Sequence, residues 1–585
     1  MDIRWSLDDL YTSFESKEFL ADYEKAKKEV AALNSWTKEN FSSTEGAVEK
    51  LEFYIHKINT ERTVAKLFSY THLTRNVDDD NEAAKKYSDL VRMLMAEMAG
   101  PTVLFKKFII SLKNLNELIE RSPVLKEHEF ILKEIVSNGK YLLSEVEELI
   151  LAKLQTTGSA AWTDMKDTQL ANMKIPVVVE GEEKILPLPA VRNLASSPNA
   201  QTRKNAYTAE MQAYEDVNKA IASSLNAIKG EVWTVVKLRG YESPLDMTLV
   251  TSRLQKESLN AMLSAIEDYL PTLRRFYKKK AQLLKHSNGL PFYDLLAPTS
   301  DVKMKFTYAE AKDFVLEQFY KFSQKMGDLA KHSFDNNWID VAPRIGKRGG
   351  AFCYNMHFIG QSRIMLNHSD TFGSVKTLAH ELGHAYHGLC LRDKPYLNTV
   401  YTMPIAETAS TFCEFIVTDA AIKSANADEK HAILEEEISG AAQILIDIYS
   451  RYLFELRLFE KRKEGSLSVE EINKLMLQAQ KDAYGDSLDP NYLHKYMWIN
   501  KVHYYYAERN FYNFPYSYGK LFACGLYAKY LSEGKSFLST YDDLLAATGS
   551  NTLEAVGDLA GIDVRKKDFW ISSLKLIEEK IDQFC

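Results

Sequence analysis

The sequence predicts a mainly α-helical protein with a small β-hairpin or sheet placed directly before one central helix. Three observations predict it. Apolar residues recur at three- and four-residue spacing over most of the chain. Alternating, strand-like runs are confined to two short stretches. Residues 371–391 read as a single helix that carries HELGHAYH at positions 380–387. A length of 585 residues fits two to four folded units, or one large helical body with lobes. Such a chain can bury a large core without disulfide staples.

The opening WSLDDLY puts Ser6 ahead of Leu-Asp-Asp, the pattern of a capped helix start. A second start falls at residues 76–80, where an acidic run precedes Leu90, Met93, Leu94 and Met98 on neighbouring turns. Residues 140–155 repeat the pattern through Leu142, Val146, Leu149 and Leu154. These stripes predict helix packed on helix. Residues 175–179 and 184–186, with Glu180-Gly181-Glu182 between them, predict a hairpin that turns at Gly181. The proline-rich break at 186–189 is the expected boundary between a helical N-terminal lobe (1–188) and the rest (189–585). Helices resume over 203–238, 254–284 and 301–331. The chain contains no internal repeat and no low-complexity tract. A second strand pair, 351–357 and 362–367, turns at Ile359-Gly360-Gln361 and leads into the central helix. Its edge can hold an extended peptide by main-chain hydrogen bonds, or it can simply cap helices; sequence leaves both open.

Composition excludes several classes. Apolar residues make up 45% and charged residues 26%, as in ordinary globular proteins. A net charge of −7 supplies no basic footprint for nucleic acid. Five scattered cysteines without a CxxC pair argue against a disulfide framework and against a thiolate zinc site, and fit a reducing compartment. The N-terminus lacks a signal-peptide pattern, and no run approaches the ~18 apolar residues of a spanning helix. The expected location is the cytoplasm, with no membrane partner.

His380 and His384 stand four residues apart, so on a helix they leave one face about 6 Å apart along the axis. Two such imidazoles can meet one cation at about 2.0–2.1 Å each. Glu381, beside them, is placed to take a proton from water on the metal instead of ligating. His387 lies roughly 10 Å from His380 along the axis, too far to share the ion, and suits a packing or supporting role. Position 390 is Cys390, where a metzincin would need its third histidine. The remaining source of a third ligand is a carboxylate downstream. Residues 403–421 read as one helix in which Glu407 is the first acid, and Glu414, seven residues on, is placed to orient a ligating histidine. On residues alone, Glu407 stays open between a third ligand and a solvated glutamate at a helix start. A His₂Glu set would favour zinc.

The run from His503 to Tyr506 and the run NFYNFPYSYG from Asn510 to Gly519 are rich in tyrosine. Aromatic packing is the default role for most of them. Attack of metal-bound water on a carbonyl also needs donors for the developing oxyanion, and tyrosine hydroxyls and a histidine N–H are suited to it. Gly519 nearby can permit local movement.

Taken together, these motifs resemble the thimet oligopeptidase and oligoendopeptidase F family of zinc metallopeptidases, and oligoendopeptidase F most closely. The resemblance is carried by HELGH, by Glu407 of PIAETASTFCE 23 residues after His384, by KRGGAF from Lys347, by NHSDTFGSVKTLAHELGHAYH and by the opening WSLDDLY. It implies a large two-lobed helical body around a deep substrate channel that admits unfolded oligopeptides and excludes folded proteins. It implies His380, His384 and Glu407 as ligands of one zinc ion and Glu381 as the general base. It further implies His503 and loop tyrosines as oxyanion donors. The spacing after His503 differs from that of thimet oligopeptidase, while FYNFPY is closer to oligoendopeptidase F, which points to Tyr512 and Tyr516, with Tyr518 in reserve. The activity implied is a zinc-dependent endopeptidase that cleaves internal bonds of short unfolded oligopeptides, as a monomer or weak homo-oligomer. The alternatives are a zinc exopeptidase of dipeptidyl carboxypeptidase type and a non-catalytic helical binding protein. An aminopeptidase is disfavoured, because its GxMxN element is absent.

Overall fold

The computed structural model describes residues 3–300, 302 and 304–585. Helices dominate, with one two-stranded and one three-stranded sheet among the described residues. The predicted helix start at Asp301 lies outside the described residues. Within 301–331 the chain forms two helices, Tyr308–Phe322 and Gln324–Asp335, instead of one. Ser323 separates them in an extended conformation, and its hydroxyl accepts from Met326 N to start the second.

At the N-terminus the predicted helix at Ser6 is a turn. The Ser6 hydroxyl accepts from Asp8 N at 3.2 Å, and Tyr11 N donates to Leu7 O, after which helix begins only at Lys17, capped by Ser16. Trp5, Leu10 and Tyr11 are buried there, and Arg363 pins the segment through Ser6 O at 2.7 Å and Asp9 Oδ2 at 3.0 Å. Helix Glu82–Glu97 follows the 76–80 break as expected and buries Leu94, but Val91 takes the place of the solvent-exposed Met93. The 140–155 stripe does not form core. Leu142, Val146, Leu149 and Leu154 are all exposed, and helix Glu145–Thr157 buries no residue. Periodicity puts these side chains on one face but does not supply anything to cover it.

The predicted hairpin is β1 (Ile175–Val179) and β2 (Glu182–Leu186), paired antiparallel with Ile175 opposite Leu186. Glu180 and Gly181 both take positive φ (54° and 88°) in its two-residue turn, where glycine carries no steric cost. Long helices Ala200–Arg239 and Lys256–Leu283 follow. Ile175 and Val177 share a buried cluster with Leu188, Val191 and the first of these helices, so packing is continuous across the proline-rich break.

The sheet before the central helix holds β3 (Ile339–Asp340), β4 (Phe352–Met356) and β5 (Gln361–Met365) in the order β3-β5-β4. β4 and β5 form the predicted antiparallel pair, and β3 adds a short parallel strand that no sequence pattern marked. β5 is the buried centre and β4 an edge. Met356 and Met365 join the aromatic cluster of the N-terminal helices, so those helices dock on this sheet. A cavity of about 760 Å³ opens between them and β4, lined by Tyr54, Phe68 and Phe105 on one side and by Tyr354, Asn355 and Val400 on the other. Among the described residues no helix is long and apolar enough to cross a membrane.

Candidate metal centre

The central helix runs Phe372–Leu391, one residue inside the expected span, because Thr371 is its cap: the hydroxyl accepts from Ser374 N at 3.3 Å. Val375, Leu378, Ala379, Leu382, Ala385 and Tyr386 are buried along it. Its partner is helix Thr408–Ser424, and Gly383 sets how close the two lie. A Cβ on Gly383 would stand 2.6 Å from both Ala409 O and Ser410 Cα, so only glycine admits this approach. The expected single helix over 403–421 is in fact two, Met403–Ala406 and Thr408–Ser424, and Glu407 (φ −89°, ψ 6°) is the joint between them. The break turns Glu407 toward the histidines, while Ser410 Oγ steadies its Oε2 at 2.8 Å.

His380, His384 and Glu407 converge. His380 Nε2 lies 3.2 Å from His384 Nε2 and 3.2 Å from Glu407 Oε2, and His384 Nε2 lies 3.4 Å from the same oxygen. His380 Nδ1 donates to Glu414 Oε1 at 2.6 Å, which leaves the Nε2 lone pair directed at the cluster. Three electron-rich atoms at such distances repel unless a proton or a cation sits among them. Ligands of one tetrahedral zinc, each at about 2.0–2.1 Å, lie about 3.3–3.4 Å apart, so this donor set fits the ion.

The surrounding charges hold the set in place. Glu414 is pulled below the ordinary glutamate range against its burial, by His380, Lys520 and Lys376. Glu437 joins the two lysines, at 3.1 Å from Lys376 Nζ and 3.0 Å from Lys520 Nζ. Burial opposes protonation of His380, but Glu407 and Glu414 together push it up to about 10 when only protein charges surround it. Glu407 is the reverse case: burial would raise it, and the two histidines draw it far down. Glu414 is legible from its spacing in the sequence, whereas the Lys376–Glu437–Lys520 network is not. Lys376, one turn before His380 on the same helix face, was the available signal.

Glu381 is buried, and its Oε2 has no hydrogen-bond partner. Burial raises its carboxyl above the usual range, and the nearby histidines only partly offset this. It is thus an acidic group with a free oxygen and a raised proton affinity, the profile of a proton acceptor. His387 is fully buried away from the cluster. Its Nε2 lies 2.8 Å from Thr548 Oγ1, its ring stacks on Tyr401 at 4.2 Å, and burial pushes it down to about 3.

Helix Phe514–Glu533 brings the tyrosine-rich segment to the same place. Gly519 packs on the ligand joint, where a Cβ would meet Glu407 Cβ and Pro404 O at 3.2 Å each. The absence of a side chain at Gly519 thus permits this close packing. Tyr516, three residues earlier on the same face, feels the Glu407 charge and is pushed up to about 12, chiefly by burial. His503 lies 5.4 Å from Tyr512 and 6.2 Å from Tyr516 between ring centroids, and the two tyrosines are 6.0 Å apart. Burial, Arg451 and Lys501 lower the pKa of His503, and its Nδ1 has no partner. Tyr518 is not part of this group; it is fully buried against Trp570 and Phe522.

The sequence profile of Peptidase family M3 matches residues 193–576, and that of Oligopeptidase F matches residues 110–175. Oligopeptidase PepF of Bacillus subtilis is 26% identical over 99% of this chain and 86% of its own length. Group B oligopeptidase PepB of Streptococcus agalactiae is 27% identical over 91% and 89%. Among solved structures, a chain from Chlamydophila abortus covers 100% of this chain and 98% of its own, with TM-score 0.85 and 22% identity. Oligoendopeptidase-F from Enterococcus faecium covers 97% and 98%, with TM-score 0.70 and 20% identity. The profile match spans most of the chain and contains the whole His380–His384–Glu407 cluster, so this chain belongs to peptidase family M3 and is a metallopeptidase of the oligoendopeptidase F kind.

Proposed function

We propose that the chain is a zinc-dependent endopeptidase that hydrolyses internal bonds of short, unfolded oligopeptides. The observation that carries this is the convergence of His380, His384 and Glu407 beside a buried glutamate, Glu381, whose free oxygen has no other task. In this reading the three side chains hold zinc, which when bound acidifies water and polarises the scissile carbonyl. Glu381 takes the proton of the attacking water and later passes it to the leaving amine. A raised proton affinity helps it do both, since it must hold the proton between the two steps. His503 and a hydroxyl of Tyr512 or Tyr516 donate to the oxygen as it gains charge. β4, an edge strand lining the 760 Å³ cavity, is the expected rail for an extended peptide, aligned by main-chain hydrogen bonds.

The same reading divides the chain near residue 188 into a helical N-terminal lobe and a catalytic region, which the two profile matches support. It places the enzyme in the cytoplasm, as the free and scattered cysteines favour. The test is Glu381→Gln, with metal content and hydrolysis of a quenched peptide blocked at both ends measured on one preparation. Retained zinc with turnover lowered at least about 10²-fold is expected. Unchanged turnover removes Glu381 from the mechanism, and a wild type that cleaves only peptides with free ends replaces endo- with exopeptidase action.

A further inference from the structure

Beside the His503 loop lies a second cavity, of about 160 Å³. Ser439, Gln443, Asp447 and Arg451 form one wall at four-residue spacing, and residues Gln443–Asp447 are wound as a π-helix, a rare form that recurs at functional sites. Four cations line it (Arg192, Arg203, Arg451 and Lys501) against the two carboxylates Glu210 and Asp447, in a chain whose net charge is −7. Asp447 pairs with Arg451, Glu210 Oε1 lies 3.6 Å from Arg192 Nε, and Arg203 bonds Asp294 at 2.6 Å from outside the cavity. Lys501 is the cation left over, with no hydrogen-bond or ion-pair partner among the described residues.

The cavity also holds unpaired polar atoms. Arg451 is 7% exposed and His494 4%, yet Arg451 Nε and His494 Nδ1 have no partner, and neither has Asn500 Oδ1. Buried polar atoms of native proteins are almost always paired, so a group of orphans around one cavity points to a ligand that completes them. Burial and Arg451 lower Lys501 to about 8, although Asp447 and Glu210 act in the opposite direction. Lys501 stands two residues before His503, and the charge of Arg451 reaches both His503 and Tyr516. The cavity is therefore adjacent to the candidate catalytic loop, and its size suits a carboxylate with one or two methylenes, about five water volumes at about 30 Å³ each.

We propose that this cavity is a carboxylate-binding subsite of the peptide cleft, with Lys501 Nζ and Arg451 Nε–H as the donors to an acidic group of the substrate; this rests on the peptidase reading above. The acidic group is the α-carboxylate of a peptide end or the side chain of Asp or Glu, and the two sources are separable. Labelled nonapeptides are titrated by fluorescence anisotropy against the full-length, zinc-loaded Glu381→Gln protein, so that binding is read without turnover. One pair compares a C-terminal acid with its amide, and another compares an internal Glu with Gln. The acidic member of one pair binds roughly tenfold or more tighter, the scale of a hydrogen bond to a charged group, and the pair that responds identifies the source. Lys501→Met brings that ratio to about one, and Lys501→Glu inverts it in favour of a lysine-bearing peptide, a gain that a misfolded protein could not show. Equal binding of both pairs, or a preference untouched by Lys501→Met, overturns the subsite. Since turnover is measured separately in wild type, a protein that shows the charge preference but hydrolyses nothing contradicts the peptidase reading instead.

Discussion

Glu381 and Glu407 both feel the charges of His380 and His384, yet their carboxyls move in opposite directions. Glu407 makes direct contact with both rings, and they hold its carboxyl far below the ordinary range, the state the proposed ligand role requires. Glu381 is buried without a donor, so burial governs it and a proton is welcome there. The same reasoning gives the loop donors a kinetic signature. If His503 and one of Tyr512 and Tyr516 donate only as charge develops, as proposed, His503→Ala and one of Tyr512→Phe and Tyr516→Phe lower kcat by about 10²-fold with little change in KM; a loss confined to KM would assign them to ground-state binding. His387 carries a stability prediction. Its folded pKa, about 3, lies below the ordinary value of 6.5, so between those values the unfolded chain binds a proton there that the folded chain refuses. Its contribution is intact above pH 6.5 and is lost on acidification, by about 1.4 kcal/mol per pH unit down to pH 3. Urea midpoints measured from pH 7 to 4.5 should fall less steeply for His387→Gln than for wild type.

The His380–His384–Glu407 cluster depends on the approach of two helices. Gly383 is the third residue after His380 and the one before His384, and the backbone of residues 409–410 lies against it. Gly383→Ala forces the pair apart by more than side chains can absorb. It is expected to cost about 1–3 kcal/mol of stability and to weaken zinc binding with it, measured as thermal midpoint and metal affinity; unchanged affinity would show that the Glu407 joint can follow the displaced helix. At this scale the sequence was most readable where residue type and spacing act locally. The HELGH spacing and the positive-φ Gly181 turn are such cases. It was least readable where a neighbour decides. Glu407 sits in a helix break that helical periodicity does not register, β3 is too short to carry a pattern, and Tyr518 differs from Tyr516 only in which side of one helix it occupies. The apolar stripe through Val146 and Leu149 shows the same limit in reverse, a correctly read face with no partner.

Across the whole molecule, the N-terminal helices close the cavity on β4 and are tied to the rest of the chain by side-chain links of high sequence separation. Arg253 is one of them. It grips Glu134 with two hydrogen bonds at 2.7 and 2.8 Å and donates to Gly549 O and Val400 O. Arg253→Met is expected to loosen helix Glu129–Asn138, with faster amide exchange there and a stability loss of about 1–3 kcal/mol; exchange unchanged in that helix would make the link dispensable. Helical class, the paired strands beside the central helix and the candidate ligands were all legible in the chain. The cationic cavity beside His503 was not, because Arg192, Arg451 and Lys501 come together only through the fold. The central claim is that Glu407 completes the metal site while Glu381 stands outside it. Zinc affinity measured by chelator competition on wild type, Glu381→Gln and Glu407→Ala tests it directly. One zinc per chain held equally well by the first two, and on the order of 100-fold or more weaker binding in the third, is expected; a Glu407→Ala protein that holds zinc as tightly as wild type would exclude Glu407 as a ligand.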